Sequence, residues 1–401
     1  MKSFLATVLS SLVLVSNASL GAEALDRNLH LRGGLENARI EFESAGRGHV
    51  AFLGGSITEM NGYRPLVCEA LQKRFPQTKF TFTDAGVAST CSTTGAFRLQ
   101  RDVLAHGPVD LFLVEFAVND DQDAGHARRE SLRGMEGIVR QTLRHNPHAN
   151  IVFVYFVNPG MLEALQAGQT PTPIAAHEAV AEHYGIPSVH LAREVAQQIA
   201  AGELTWEKYG GVHPAPHGNA LAASMVMRLL DLAWQSPRDP QARKTPHRVP
   251  APLDEGSYMQ GRFIDPQLAQ AGEGWRLHIP PWKEMPGQCR ERFLNTPLLC
   301  ATAPAGDNPQ ATATLEFEGR AIGAYVLAGP DAGMLEASVD GGPFRRVDLY
   351  HVYSRGLHYP RTVMFFTDLS PGPHKLTLRV ADDRNPHSQG HAARILQFTA
   401  N

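Results

Sequence analysis

Residues 49–55 read HVAFLGG, residues 63–75 YRPLVCEALQKRF and residues 79–86 KFTFTDAG. The first and third are short apolar or β-branched runs ending in loop residues. The second carries apolar residues at three-to-four spacing, so the order is strand, helix, strand. The same alternation continues outward. DLFLVEFAVND (110–120), NIVFVYFV (150–157) and PSVHL (187–191) read as strands. TGAFRLQRDVLAHG (94–107), ESLRGMEGIVRQTLRHN (130–146), PIAAHEAVAEHYG (173–185) and HGNALAASMVMRLLDLAW (217–234) read as helices. Such a repeat predicts an α/β domain with a parallel sheet covered on both faces, whose ligands collect beyond the carboxyl ends of the strands.

Past residue 235 the text changes. SPRDPQARKTPHRVPAPLDEG (236–256) is rich in Pro and charge with little periodicity, and reads as a linker. TATLEFEG, AIGAYVLAG, MLEASVDGG, RRVDLYHVY, RTVMFFTDL, HKLTLRVAD and ARILQFTAN then follow, divided by Gly, Pro and Asp turns. Their even spacing predicts a β-sandwich of jelly-roll type over 257–401. The first 24 residues have a basic start, an apolar run and small residues ending at Ala22-Glu23-Ala24, the pattern of a secretory signal peptide. The mature chain is then expected to begin near Leu25 in a secreted or periplasmic setting, with the α/β domain over 25–235. No later stretch reaches the ~18 apolar residues of a membrane span.

The 401 residues are 43% hydrophobic and 19% charged, enough to build two cores. Lys and Arg number 37 against 40 Asp and Glu, a balance of -3, and no basic patch points to nucleic acid. Export favours a bridge between Cys289 and Cys300, close together in QCRERFLNTPLLC; Cys68 and Cys91 either pair or stay small and buried. No paired CxxC motif is present, and no cofactor is expected. HEAVAEH (177–183) has Ala181 where a zincin helix needs its second His. NDDQDAGHARRE puts Asn119, Asp121, Asp123 and Glu130 at calcium-loop positions 1, 3, 5 and 12, but Ala124 stands where the sharp-turn glycine belongs. Neither is read as a metal site.

Four residues fall at the loop ends of successive elements: Ser56 in FLGGSIT, Gly86 in TDAGVAST, Asn119 in EFAVND and His213 in GGVHPAPHGN. A serine with a histidine to take its proton, and donors aimed at a developing oxyanion, are the parts acyl transfer needs. This ordered set resembles the SGNH (GDSL-like) hydrolase superfamily over roughly residues 45–235. The resemblance implies a flavodoxin-like three-layer fold, Ser56 as nucleophile and His213 as base. It makes the Ser56 N–H, the Gly86 N–H and the Asn119 side chain the oxyanion donors.

Two positions depart from the family pattern. Gly210 stands three residues before His213, where an Asp usually orients the imidazole. Glu207, a backbone carbonyl or a group from the second domain remain open as substitutes. Gly55 occupies the place where many relatives carry Asp.

The layout of signal peptide, SGNH core and β-rich domain looks like the secreted carbohydrate acetylesterases, in particular the xyloglucan-acetylesterase branch. The resemblance implies acetylated polysaccharide as substrate. His351, Tyr353 and His358 in LYHVYSRGLHYPR are candidates to stack on sugar. A lipase, lysophospholipase or thioesterase, an exported-polysaccharide O-acetyltransferase and a non-catalytic glycan-binding protein are the alternatives.

Overall fold

The computed structural model describes residues 26–401, so the signal-peptide reading lies outside the described residues. The chain forms two compact units.

The first unit holds the described residues up to Ala88, His106–Arg129 and Thr142–Ala251. Its sheet has six strands: β1 (Leu29–His30), β2 (Arg47–Gly54), β3 (Lys79–Gly86), β4 (Leu111–Glu115), β5 (Asn150–Val154) and β6 (Ser188–Val189). Their spatial order is β1-β6-β5-β4-β2-β3, parallel throughout except for the antiparallel β1. The parallel part is the doubly wound order of flavodoxin-like sheets. The apolar runs decide this: β4 and β5 are buried at every residue, as strands covered on both faces must be, whereas the edge strand β3 is exposed or half-buried over its first six residues. Register brings Gly54, Gly86 and Glu115 level at the carboxyl ends of three adjacent strands.

The segment 236–251 has no helix or strand, yet it is fastened within this unit. Asn37 exchanges two hydrogen bonds with the Thr245 backbone, the His247 N–H donates to the Pro147 carbonyl, and Lys244 pairs with Glu41.

The second unit comprises Ser89–Ala105, Glu130–Gln141 and Pro252–Asn401. Two antiparallel sheets, of six and five strands, share one apolar core that includes Leu299, Leu315, Ile322, Val326, Leu335 and Leu378. This is the expected sandwich. Tyr325 and Leu327, on the other face of strand Ile322–Ala328, build a smaller cluster with Phe293, Leu298 and Cys300. The segments from the α/β half of the sequence join this unit through polar contacts. Arg133 donates to Asp254 and Asp368 at 3.0 and 2.6 Å, the Glu136 carboxylate accepts from Leu253 N, Asp254 N and Ser257 Oγ, and Gln141 Nε2 donates to the Tyr258 and Ala96 carbonyls.

The disulfide expectation is corrected here: Cys68, Cys91, Cys289 and Cys300 are all free thiols. Cys300 is buried in the smaller cluster, and Cys289 packs against it from the side. Burial pushes both thiols up, to about 12 and about 11, as expected of cysteines acting as small apolar groups. Among the described residues no helix is long and apolar enough to cross a membrane.

Candidate active site

Strand β2 empties through Gly54 and Gly55 into a one-turn helix, α1 (Ser56–Glu59), closed by Glu59 N–H donating to the Gly55 carbonyl. Ser56 is the first residue of that turn, so its N–H belongs to the set a helix start leaves without intrahelical partners. His213 lies on the exposed loop ahead of helix α2 (Pro216–Ala233). The loop is pinned by Asn219, whose amide donates to the Pro214 and Ala215 carbonyls at 2.5 and 3.2 Å. Ser56 Oγ and His213 Nε2 stand 2.7 Å apart, within proton-transfer reach.

The donors fall around this pair. Asn119 opens a π-helical turn (Asn119–Asp123) after β4 and is buried; its Nδ2 donates to Asp123 Oδ2 at 2.6 Å, which leaves one amide hydrogen. A Cβ built on Gly55 would lie 2.2 Å from Asn119 Oδ1 and 2.7 Å from Nδ2. Glycine at 55 therefore lets the Asn119 amide press against the backbone beside Ser56, and the departure from the family Asp has a steric cause. Gly86 sits level with Gly54 at the end of β3, but its N–H donates to Asp84 Oδ1 at 2.9 Å. Asp84 in turn pairs with Arg64 at 2.7 Å, and Arg64 Nε donates to the Thr58 carbonyl.

The Asp slot is closed for a geometric reason. Gly210 has φ of 109°, and a Cβ there would lie 1.9 Å from Ala215 N. No L side chain fits at that position without moving the loop that carries His213. Glu207, on the exposed side of the short helix Trp206–Tyr209, makes no hydrogen bond to His213. Among the described residues His213 Nδ1 has no hydrogen-bond partner, neither carboxylate nor carbonyl.

Two groups near the site escaped sequence reasoning. Glu115, at the end of β4, is 1% exposed, and its Oε1 accepts from Gly55 N–H at 3.0 Å and Thr58 Oγ at 2.8 Å. Burial, and after it the Glu115 carboxylate, pushes the Tyr63 and Tyr209 phenols well above their ordinary range. Asp120 is wholly buried against His177 Nε2 at 2.9 Å, with His126 beside it. Burial works to raise this carboxyl, but the two imidazoles override it and hold it far below the usual carboxylate range. A charged residue inside an apolar strand was the available signal for Glu115. For Asp120 and His177, 57 residues apart, there was none.

Residues of the two motifs set aside above make hydrogen bonds within the protein. His177 serves Asp120, while His183 Nε2 meets the Ala251 carbonyl. Asp121 accepts from Asn158, and Glu130 from Thr93 and Tyr258. His30, Glu178 and His190 bring three ligand atoms within 4.8 Å of one another. Arg32 is bound to the same Glu178 oxygen at 2.5 Å, so a cation already stands there.

In the second unit His351 stacks on Tyr359 at 4.5 Å and caps the short 3₁₀ turn that carries Tyr353, a residue 47% exposed. His358 is 0% exposed and packs edge-on to Trp282 at 4.8 Å. The expectation that its ring meets sugar is corrected by that burial.

Residues 52–221 match the GDSL-like lipase/acylhydrolase family. No curated protein matches. Among solved structures, a two-domain esterase (CEX) active on acetylated mannans, co-crystallised with mannopentaose, has a TM-score of 0.72 at 21% identity, over 94% of this chain and 97% of that one. A second structure of a two-domain esterase (CEX) active on acetylated mannans gives 0.71 at 22%, over 93% and 97%. An acetylxylan esterase from Geobacillus stearothermophilus gives 0.35 at 18%, over 46% of this chain and 94% of its own. The likeness to the two-domain structures shows the same succession of an α/β fold and an antiparallel β fold. The similarity to the GDSL-like lipase/acylhydrolase family thus covers residues 52–221, while the fold of nearly the whole chain is that of the two-domain structures.

Proposed function

We propose that the protein is an exported esterase that removes acetyl or similarly short acyl groups from a polysaccharide or oligosaccharide, using Ser56 and His213 as a dyad. The observation that carries the mechanism is the 2.7 Å contact between Ser56 Oγ and His213 Nε2. Ser56 Oγ attacks the ester carbonyl while its proton passes to Nε2. The carbonyl oxygen, now negative, is held by the Ser56 N–H and the remaining Asn119 amide hydrogen, and by the Gly86 N–H once that group leaves Asp84. Collapse breaks the bond to the sugar oxygen, which leaves as a hydroxyl by taking the proton from His213, and water then hydrolyses the acyl-enzyme by the same route. A dyad suffices because a third member mainly fixes the tautomer and stabilises imidazolium.

The polar loops NGYR and NDDQDAGH near the site favour a small acyl group over a long chain, and the two-domain relatives active on acetylated mannans favour a sugar as its carrier. Tyr353, backed by the His351 and Tyr359 rings, offers a face for a sugar ring. Export rests on residues 1–24 and is checked by N-terminal sequencing of the mature protein, expected to start near Leu25.

The test of function is acetate release from acetylated polysaccharides, run beside p-nitrophenyl esters of increasing chain length. Release that disappears in Ser56→Ala and rates that fall with chain length are expected. Faster turnover of long-chain esters overturns the substrate, and activity surviving Ser56→Ala overturns the mechanism.

A further inference from the structure

A carboxylic acid at the end of strand β4 has no place in the packing logic of that strand. Leu111–Val114 are apolar and buried, and Glu115 is buried with them. Taking such a group out of water is unfavourable unless hydrogen bonds compensate. At Glu115 they come from the two sides of one residue pair. Oε1 accepts from the N–H of Gly55, the residue before Ser56, and from the hydroxyl of Thr58, two residues after it. Thr58 is wholly buried, with the Tyr63 hydroxyl 3.2 Å from its own. A Cβ added at Gly54 would sit 2.2 Å from Glu115 Oε1, so the carboxyl group lies directly against the end of β2.

The geometry points to Glu115 as a positioning residue for Ser56: by clamping Gly55 and Thr58 it fixes the turn that aims both the Ser56 hydroxyl and the Ser56 N–H. This deepens, and rests on, the serine-esterase reading of the same site. The two clamped groups bracket Ser56 at the start of one-turn helix α1, which is too short to hold its shape by internal hydrogen bonding alone. Free to rotate, it would move the nucleophile and one oxyanion donor together. Misplacement by about 1 Å costs on the order of 10²-fold in rate. The position needs an acceptor more than a charge, because both groups meet the same oxygen.

The experiment counts reactive sites with a fluorophosphonate that labels the active serine, then expresses kcat on p-nitrophenyl acetate per labelled site. Glu115→Ala is expected to lower kcat per site by about 10²-fold with KM within about threefold. Glu115→Gln, which keeps a carbonyl acceptor, is expected within about tenfold of wild type. Thr58→Val, which keeps Glu115 and removes one clamped group, should lose about tenfold, and combining it with Glu115→Ala should add little, since both act on one turn. Counting sites separates positioning from folding. A Glu115→Ala sample with fewer labelled sites but wild-type kcat per site makes the residue merely structural and overturns the proposal, as does full additivity with Thr58→Val. Should Glu115→Ala not fold, Glu115→Gln and Thr58→Val decide: both at wild-type kcat, or Glu115→Gln more than about 10²-fold down, overturns it. Turnover that survives Ser56→Ala overturns the esterase reading and this role with it; turnover that needs Ser56 but ignores positions 115 and 58 overturns this role alone.

Discussion

Replacing Gly55 by alanine tests whether the Asn119 amide works on the reacting oxygen. Gly55 has φ of −87°, so alanine meets no left-handed backbone there; its chief conflict is contact. The added Cβ falls 2.2 Å from Asn119 Oδ1 and 2.6 Å from its Cγ, where ordinary contact begins at 3.4 Å. The amide must therefore retreat by about 1 Å, and its 2.6 Å bond to Asp123 must give with it. Loss of one oxyanion donor costs about 10²–10³ in kcat, or roughly 3–4 kcal/mol. Gly55→Ala should show that loss on p-nitrophenyl acetate with KM little changed, and Asn119→Ala should show a similar one. If both act through one hydrogen bond, the double variant should fall within about threefold of the worse single, whereas independent effects would multiply. Gly55→Ala within threefold of wild type, or a double variant with multiplied losses, refutes the reasoning.

Gly210→Asp restores the family residue by name but not by geometry. The φ of 109° and the 1.9 Å approach to Ala215 N should cost about 3 kcal/mol or more, read as a thermal midpoint lower by roughly 6–12 °C, with no gain in kcat. A stable Gly210→Asp with raised kcat would show the slot to be usable. A second expectation concerns His358, whose imidazole is lowered to about 4 by burial and by Arg394, against the opposing Asp331. Between its unfolded value near 6.5 and about 4, the unfolded chain holds a proton that the folded one refuses, so stability falls with falling pH. From pH 7.5 to 5.0 this amounts to about 2 kcal/mol, and urea midpoints should show His358→Gln losing that much less than wild type; equal losses would refute the burial argument.

The long parallel strands were legible because burial on both faces leaves one signature, an uninterrupted apolar run, and β4 and β5 have it. The two-residue β1 and the short strands Arg262–Ile264 and Gln270–Ala271 carry too few positions for any period, and their pairing is decided by neighbours remote in sequence. Ser56 and His213 stood out because each sits where a periodic element stops. Glu115 was hidden inside its strand, and its purpose becomes visible only when the turn of another strand lies against it. His358 was misjudged because tyrosines and histidines crowd its neighbourhood, which looks like a surface from sequence; the short turn bringing Trp282 against it is non-local. Cys289 and Cys300 misled in the opposite way: nearness along the chain does not decide between a bridge and two thiols packed into one apolar cluster.

The two departures from the family pattern are of one kind. At Gly55 the space a side chain would fill holds the Asn119 amide; at Gly210 it holds the backbone of the loop that carries His213. In both places glycine is required by what lies against it, not by chemistry at the glycine itself. Restoring a carboxylate behind His213 would thus mean relocating Ala215, but Asn219 binds the carbonyls of Pro214 and Ala215 and itself lies close against Gly62. The 2.7 Å contact of His213 with Ser56 depends on that same loop. A chain built this way holds His213 tightly at the expense of a group that would orient its imidazole. On the proposed mechanism, turnover then rests on where the serine turn and the donors are fixed, which is why, beyond Ser56 and His213 themselves, positions 55, 115 and 119, and not position 210, are where substitution should cost turnover.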